Sequence, residues 1–126
     1  MISGRVTRRG KASIELVVIG PEGDQQPVSV SIDTGFSGHL TLPWNAIGAL
    51  QLPFLGTRRG LLADGSVVRL RTYRARVDWH GRYRPIVVFQ AAGGMLLGMA
   101  LLRGNRLIME VIPDGNVTIE EVAQPT

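Results

Sequence analysis

The stretch Val28-Ser29-Val30-Ser31-Ile32-Asp33-Thr34-Gly35-Phe36-Ser37-Gly38 decides how the chain is read. Val28, Val30 and Ile32 alternate with Ser29 and Ser31, the period-two pattern of a strand buried on one face. The strand ends on Asp33, where a carboxylate is held from behind by a sheet and left open in front. Thr34 adds a hydroxyl, and Gly35, without Cβ, lets the backbone turn tightly. Asp-Thr-Gly arises by chance in roughly a few per cent of chains this long at average residue usage. Its setting therefore has to carry the reading.

Upstream, Ala12 to Ile19 reads as a strand with Ile14, Leu16 and Val18 on one side. The cluster Gly20-Pro21-Glu22-Gly23-Asp24 turns it into a second arm that starts at Pro27 and delivers Asp33. Downstream, His39-Leu40-Thr41-Leu42 is extended. Pro43 to Leu50 predicts a helical turn or two, with Pro43 early, where a missing N–H costs little. Trp44, Ile47 and Leu50 would share its inner face. Arg58 to Leu62 and a long return arm predict a second hairpin around Ala63-Asp64-Gly65-Ser66, since Asp-Gly takes positive φ readily. Along the return arm Val68 and Leu70 keep one phase while Tyr73, Ala75, Val77 and Trp79 keep the other. That slip predicts a bulge near Arg71-Thr72.

His80-Gly81-Arg82 is a further turn, and Pro85 to Gln90 a buried strand centred on Ile86, Val88 and Phe89. Gly94-Met95-Leu96-Leu97-Gly98-Met99 leads into a short helix ending at Leu102. Arg106 to Ile112, the turn Pro113-Asp114-Gly115-Asn116 and Val117 to Glu121 make a closing hairpin. No long strand is evident at the extreme N-terminus. The pattern predicts an all-β chain: a small closed antiparallel β barrel with one or two short helices, as one domain over residues 1–126.

Composition narrows the function. At 126 residues the chain holds one real core. No apolar run approaches the roughly 18 residues needed to span a bilayer, and Met1 to Arg5 lacks a signal peptide's apolar core. The expectation is a cytoplasmic protein with no membrane association. With no Cys, disulfides, thiolate metal sites and cysteine nucleophiles are excluded. His39 and His80 are too few for most metal sites, and no cofactor is implied. The net charge of +4 comes almost wholly from Arg, with eight between Arg58 and Arg84 against Asp64 and Asp78. Aromatic residues do not interleave on that face as base stacking requires. It reads as a solvated face, and nucleic acid is not an expected partner.

A strand-end Asp-Thr-Gly, then a hairpin, then two apolar residues and Gly resembles the retropepsin-like aspartic peptidases, in particular their bacterial single-domain members. The resemblance covers nearly the whole chain. Ile32-Asp33-Thr34-Gly35 matches the active-site loop, Leu61-Leu62-Ala63-Asp64-Gly65-Ser66 falls at the flap, and Leu96-Leu97-Gly98-Met99 matches the motif bracing the loop. It implies an aspartic endopeptidase in which Asp33 is catalytic, Thr34 and Gly35 position it, and Leu96, Leu97 and Gly98 support the loop. Phe36, Ser37, Ala63, Asp64, Gly65 and Ser66 would then contact an extended peptide or protein substrate. Phe36 stands where relatives carry a small residue, and Ala100 where many carry a polar or acidic one.

The chemistry needs two carboxylates sharing one proton, because like charges about 3 Å apart do not both ionise easily. The sequence holds one Asp-Thr-Gly, and Asp64, Asp78 and Asp114 sit in turn or strand-edge contexts. A dyad therefore requires Asp33 from two copies across a two-fold axis, a homodimer. The alternative of another class is an inactive retropepsin-like binding or assembly module. A Ser37-His39-Asp33 triad is disfavoured, since residues so close in one loop rarely reach triad geometry.

Overall fold

The computed structural model describes residues 1–61 and 64–123. The chain begins with β1 (Ile2–Val6), β2 (Ala12–Ile19) and β3 (Gln25–Ile32). Next come β4 (Leu40–Leu42), the helix α1 (Trp44–Ala49), β5 (Phe54–Leu61), β6 (Val67–Trp79) and β7 (Arg82–Gln90). It ends with β8 (Leu96–Leu97), the one-turn helix α2 (Met99–Leu102), β9 (Asn105–Met109) and β10 (Asn116–Glu121).

β2 turns the sheet on itself. It pairs with β3 along its length, with β1 at its start (Val6 opposite Ala12) and with β6 at its end (Val18 opposite Val77). Strands β2, β3, β8, β4, β7 and β6 thus form a closed ring, with β5 carried on β6 and β1, β10 and β9 carried on β2. The alternation read from the sequence is the alternation of burial. Ile14, Leu16, Val18, Val28, Val30, Val77, Trp79, Ile86 and Val88 all face the core, joined by Leu40, Leu42, Leu97 and Leu101. The all-β architecture is as expected.

Its details differ in places, each for a physical reason. Two pairings are parallel rather than antiparallel: β3 with β8 (Ser31 opposite Leu96) and β4 with β7 (Leu40 opposite Val88). In both the chain makes a long excursion before returning, which parallel neighbours need and a tight turn cannot supply. β3 starts at Gln25, two residues before Pro27. The proline is tolerated because β8 pairs with β3 only at Ser31 and Ile32, leaving the other side of Pro27 without a ladder to join. Ile2 to Val6 form a strand that the polar look of the N-terminus hides. It is inserted between β10 and β2 of the same chain.

Trp44 does not share the inner face of α1. Ala46, Ile47 and Leu50 are buried while Trp44 is 73% exposed. At 100° per residue Trp44 points about 110° away from the centre of that buried trio. The phase slip of the second hairpin is present in the burial of both Thr72 and Tyr73. The extra residue, however, lies in the facing arm: Phe54 opposes Tyr73 and Gly56 opposes Thr72, leaving Leu55 over. Gly56, at φ +149, takes the conformation the bulge requires, and its carbonyl accepts the Thr72 hydroxyl at 3.0 Å. The turn at His80-Gly81 has positive φ at both residues (55 and 77), the combination that joins Trp79 to Arg82 in a two-residue hairpin.

Truncating a side chain sealed in the ring leaves a cavity, whereas truncating Trp44 does not. Leu40→Ala is expected to lower unfolding free energy by about 2–5 kcal/mol, and Trp44→Ala to change it by less than about 0.5 kcal/mol. Urea denaturation of the two variants measures both.

Candidate active site

Asp33 follows β3 directly, and the sheet holds its backbone. Its amide donates to the Leu97 carbonyl at 2.9 Å, continuing the β3–β8 pairing by one step. The Gly35 amide donates to Asp33 Oδ1 at 2.9 Å, and the Phe36 amide to the Asp33 carbonyl at 3.1 Å. These bonds curl the loop and aim the carboxylate. Asp33 is half-buried, and Thr34, Gly35 and Ser37 are exposed.

The loop is fastened from below by α2. The first amides of a helix have no intrahelical acceptor, and here no side chain caps them. They find the loop instead. Gly98 donates to the His39 carbonyl (3.0 Å), Met99 to that of Phe36 (2.8 Å) and Ala100 to that of Gly38 (3.1 Å). Such an approach requires glycine: a Cβ on Gly98 would lie 2.6 Å from the Phe36 carbonyl oxygen and 2.5 Å from its ring. Leu97 is fully buried beneath the loop and Leu96 half-buried. Leu96, Leu97 and Gly98 are thus gathered under Asp33. Thr41, which sequence reasoning passed over, is buried and accepts the Leu96 amide at 2.8 Å.

Phe36 does not stand free beside Asp33. Its ring packs edge-on against Phe89, with centroids 5.6 Å apart and planes at 86°. His39 lies behind the loop, where its Nδ1 accepts the Val87 amide at 3.2 Å. The acceptor role requires a neutral ring. Burial, the Arg84 guanidinium and then Arg58 hold its pKa below the ordinary 6.5. Arg84 in turn donates to the Ala100 and Leu101 carbonyls, both at 3.1 Å, closing the far end of α2.

The second hairpin is built from β5 and β6. At its tip Asp64 Oδ1 accepts the Ser66 hydroxyl (2.6 Å) and amide (2.8 Å), and these bonds keep its pKa below the usual carboxylate range. Gly65 supplies the positive φ (+86). Asp64, Gly65 and Ser66 are therefore brought together at one exposed turn, and Ala63 lies outside the described residues.

A groove of about 340 Å³ opens beside Asp33. Val6, Ile32, Leu96, Met109 and Val111 give it apolar walls, and Lys11 also lines it. Lys11, Met109 and Val111 carry no local motif, and only the pairing of β9, β10 and β1 brings them to Asp33. A larger groove of about 430 Å³, lined by Trp79, Tyr83 and Arg103 among others, shares no residue with it.

No family model matches the chain, and no curated protein sequence does. Among solved structures, EIAV protease complexed with the inhibitor HBY-793 is similar at a TM-score of 0.53. The match covers 74% of this chain and 86% of that one, at 16% sequence identity. The fold is retropepsin-like. At that identity the likeness concerns the fold alone.

Two outcomes follow from the geometry under the loop. Gly98→Ala is expected to cost about 1–3 kcal/mol through overpacking. Gly94→Ala, where an added methyl meets nothing within 4 Å, should be silent in the same denaturation assay. A folded-state pKa lowered from 6.5 means that His39 contributes stability above that pH and loses it as pH falls. Melting temperature should therefore drop as pH goes below about 6.5. His39→Asn, which keeps an acceptor but does not titrate, should flatten that limb.

Proposed function

We propose that the chain is an aspartic-type endopeptidase whose dyad is made by Asp33 of two copies in a homodimer. The observation that carries this reading is the mounting of Asp33: a carboxylate rigidly tied from behind, open in front, beside an apolar groove, on a retropepsin-like fold. Thr34 and Gly35 are exposed at the same place, where a partner's loop would cover them. Each Thr34 would reach across to the opposite loop, and each Gly35 amide keeps its own carboxylate oriented.

One carboxylate of the pair holds the shared proton and the other is ionised. The ionised one takes a proton from a water held between them as that water's oxygen bonds to the scissile carbonyl carbon. The protonated one gives its proton to the carbonyl oxygen. Collapse of the resulting tetrahedral diol breaks the C–N bond, with a proton passed to the leaving nitrogen, and the dyad returns to its single-proton state. The groove beside Asp33 suits an apolar substrate side chain next to the scissile bond. The hairpin turn at Asp64, Gly65 and Ser66, with Ala63, would close over an extended peptide and exclude water. Phe36 and Ser37 would border the substrate on the loop side.

Asp33→Asn removes the acid–base pair without changing shape. It is expected to abolish cleavage of a peptide library while melting temperature and solution mass stay unchanged. Retained cleavage by that variant contradicts the mechanism. Activity should favour mildly acidic pH, where one proton stays on the dyad, and a pH–rate profile reads this directly.

A further inference from the structure

Where β5 and β6 pair, from Phe54 to Tyr73, the hairpin carries Arg58, Arg59, Arg69 and Arg71, all exposed. Against them stands Asp64, whose carboxylate is already engaged by Ser66. Four positive charges against one negative leave a surplus of three. Among the described residues the ion pairs lie elsewhere, at Arg82–Glu121 and Arg106–Glu120. Arg59 directly opposes Arg69 across the ladder, and like charges in that position destabilise a hairpin. Alternation along β6 places Arg69 and Arg71 on one face, and Arg59 joins them by its pairing.

Arg71 is also fixed in place. Its Nε donates to the Tyr73 hydroxyl at 2.9 Å, and that hydroxyl donates to Gln90 Oε1 at 2.9 Å. Its guanidinium lies 4.3 Å from the centre of the Phe54 ring. Nε and one face are thus occupied, and among the described residues no hydrogen bond engages the terminal nitrogens, whose fork matches a carboxylate. Edge strands often carry charge to discourage self-pairing. That accounts for Arg58 and Arg59 on β5 but not for Arg69 and Arg71 one strand further in.

β5 ends the strand order, so its outer edge has no neighbour among the described residues. We propose that this edge takes up an extended acidic peptide segment as an added strand, with carboxylates at alternate positions read by Arg59, Arg69 and Arg71. Main-chain bonds to β5 would give the peptide its register. A Glu opposite Arg59 meets the Arg59–Arg69 pair. The Glu two residues away lies opposite Thr57, the small partner of Arg71 in the ladder, and reaches over it to the free fork. By strand alternation Arg59, Arg69 and Arg71 lie on the face of the hairpin opposite to Arg58, which reaches the Phe89 ring behind the Asp33 loop, and binding there does not require that Asp33 hydrolyse peptides.

The test is fluorescence anisotropy on full-length Asp33→Asn protein, which uncouples binding from cleavage. The probes are labelled peptides alternating Val with Glu, Gln or Lys, and a labelled single-stranded oligonucleotide. The Glu peptide should bind best and weaken as salt is raised. Arg59→Glu combined with Arg69→Glu should weaken it by about tenfold or more and favour the Lys peptide. Tyr73→Phe, which frees Arg71 without altering charge, should weaken it by about threefold. Arg103→Glu, which shifts net charge away from the hairpin, should leave it unchanged. Circular dichroism reports the folding of each variant. Equal binding of the Gln peptide, an unchanged affinity after the double reversal, or displacement of the Glu peptide by the oligonucleotide would each overturn the proposal.

Discussion

The acidic loop rests where it does because Gly98 has no side chain. The amides that open α2 lack acceptors within a single helical turn, and the carbonyls of Phe36, Gly38 and His39 lack partners within an irregular loop. Bringing the two together satisfies both sets, and the Cβ-free backbone of Gly98 is what lets them meet. The contact sits beside the place where the barrel is knitted together. β8, just before α2, pairs with both β3 and β4, Leu97 is sealed in the core, and the ring of strands closes where β2 meets β6.

The same contact arranges the charges. Arg84 reaches the carbonyls at the far end of α2, and burial, then Arg84 and Arg58, lower the pKa of His39, so cations gather behind the loop while the carboxylate faces outward. Two pH demands then oppose each other. A proton shared between carboxylates is favoured by acid, whereas the bond from the Val87 amide to His39 Nδ1 is lost in acid. Under the proposed mechanism the dyad would bound the working range from above, and the fold that carries it from below.

Much of this was legible in the sequence because it rests on local pattern. The bounds of β2 were read as they stand, and so were the turn at His80-Gly81 and the order of acidic loop, hairpin and Leu-Leu-Gly. What escaped depends on contacts between distant residues. Ile2 to Val6 show no evident strand pattern until β10 lies beside them, and Lys11, Met109 and Val111 approach Asp33 only through that pairing. The slip at Thr72 was visible in its own strand, but the bulge that relieves it sits in β5, where Gly56 bears the unusual φ. Trp44 was misplaced because hydrophobicity alone does not say which way a short helix turns.

A barrel with one Asp-Thr-Gly can perform dyad chemistry only by meeting its own copy, so association is the central claim. The most direct measurement is molar mass in solution by light scattering across a dilution series. A species of about twice the 13.7 kDa chain mass is expected, giving way to the single chain only on dilution. A mass of one chain at every concentration would contradict it, leaving Asp33 a lone carboxylate and the fold a binding module.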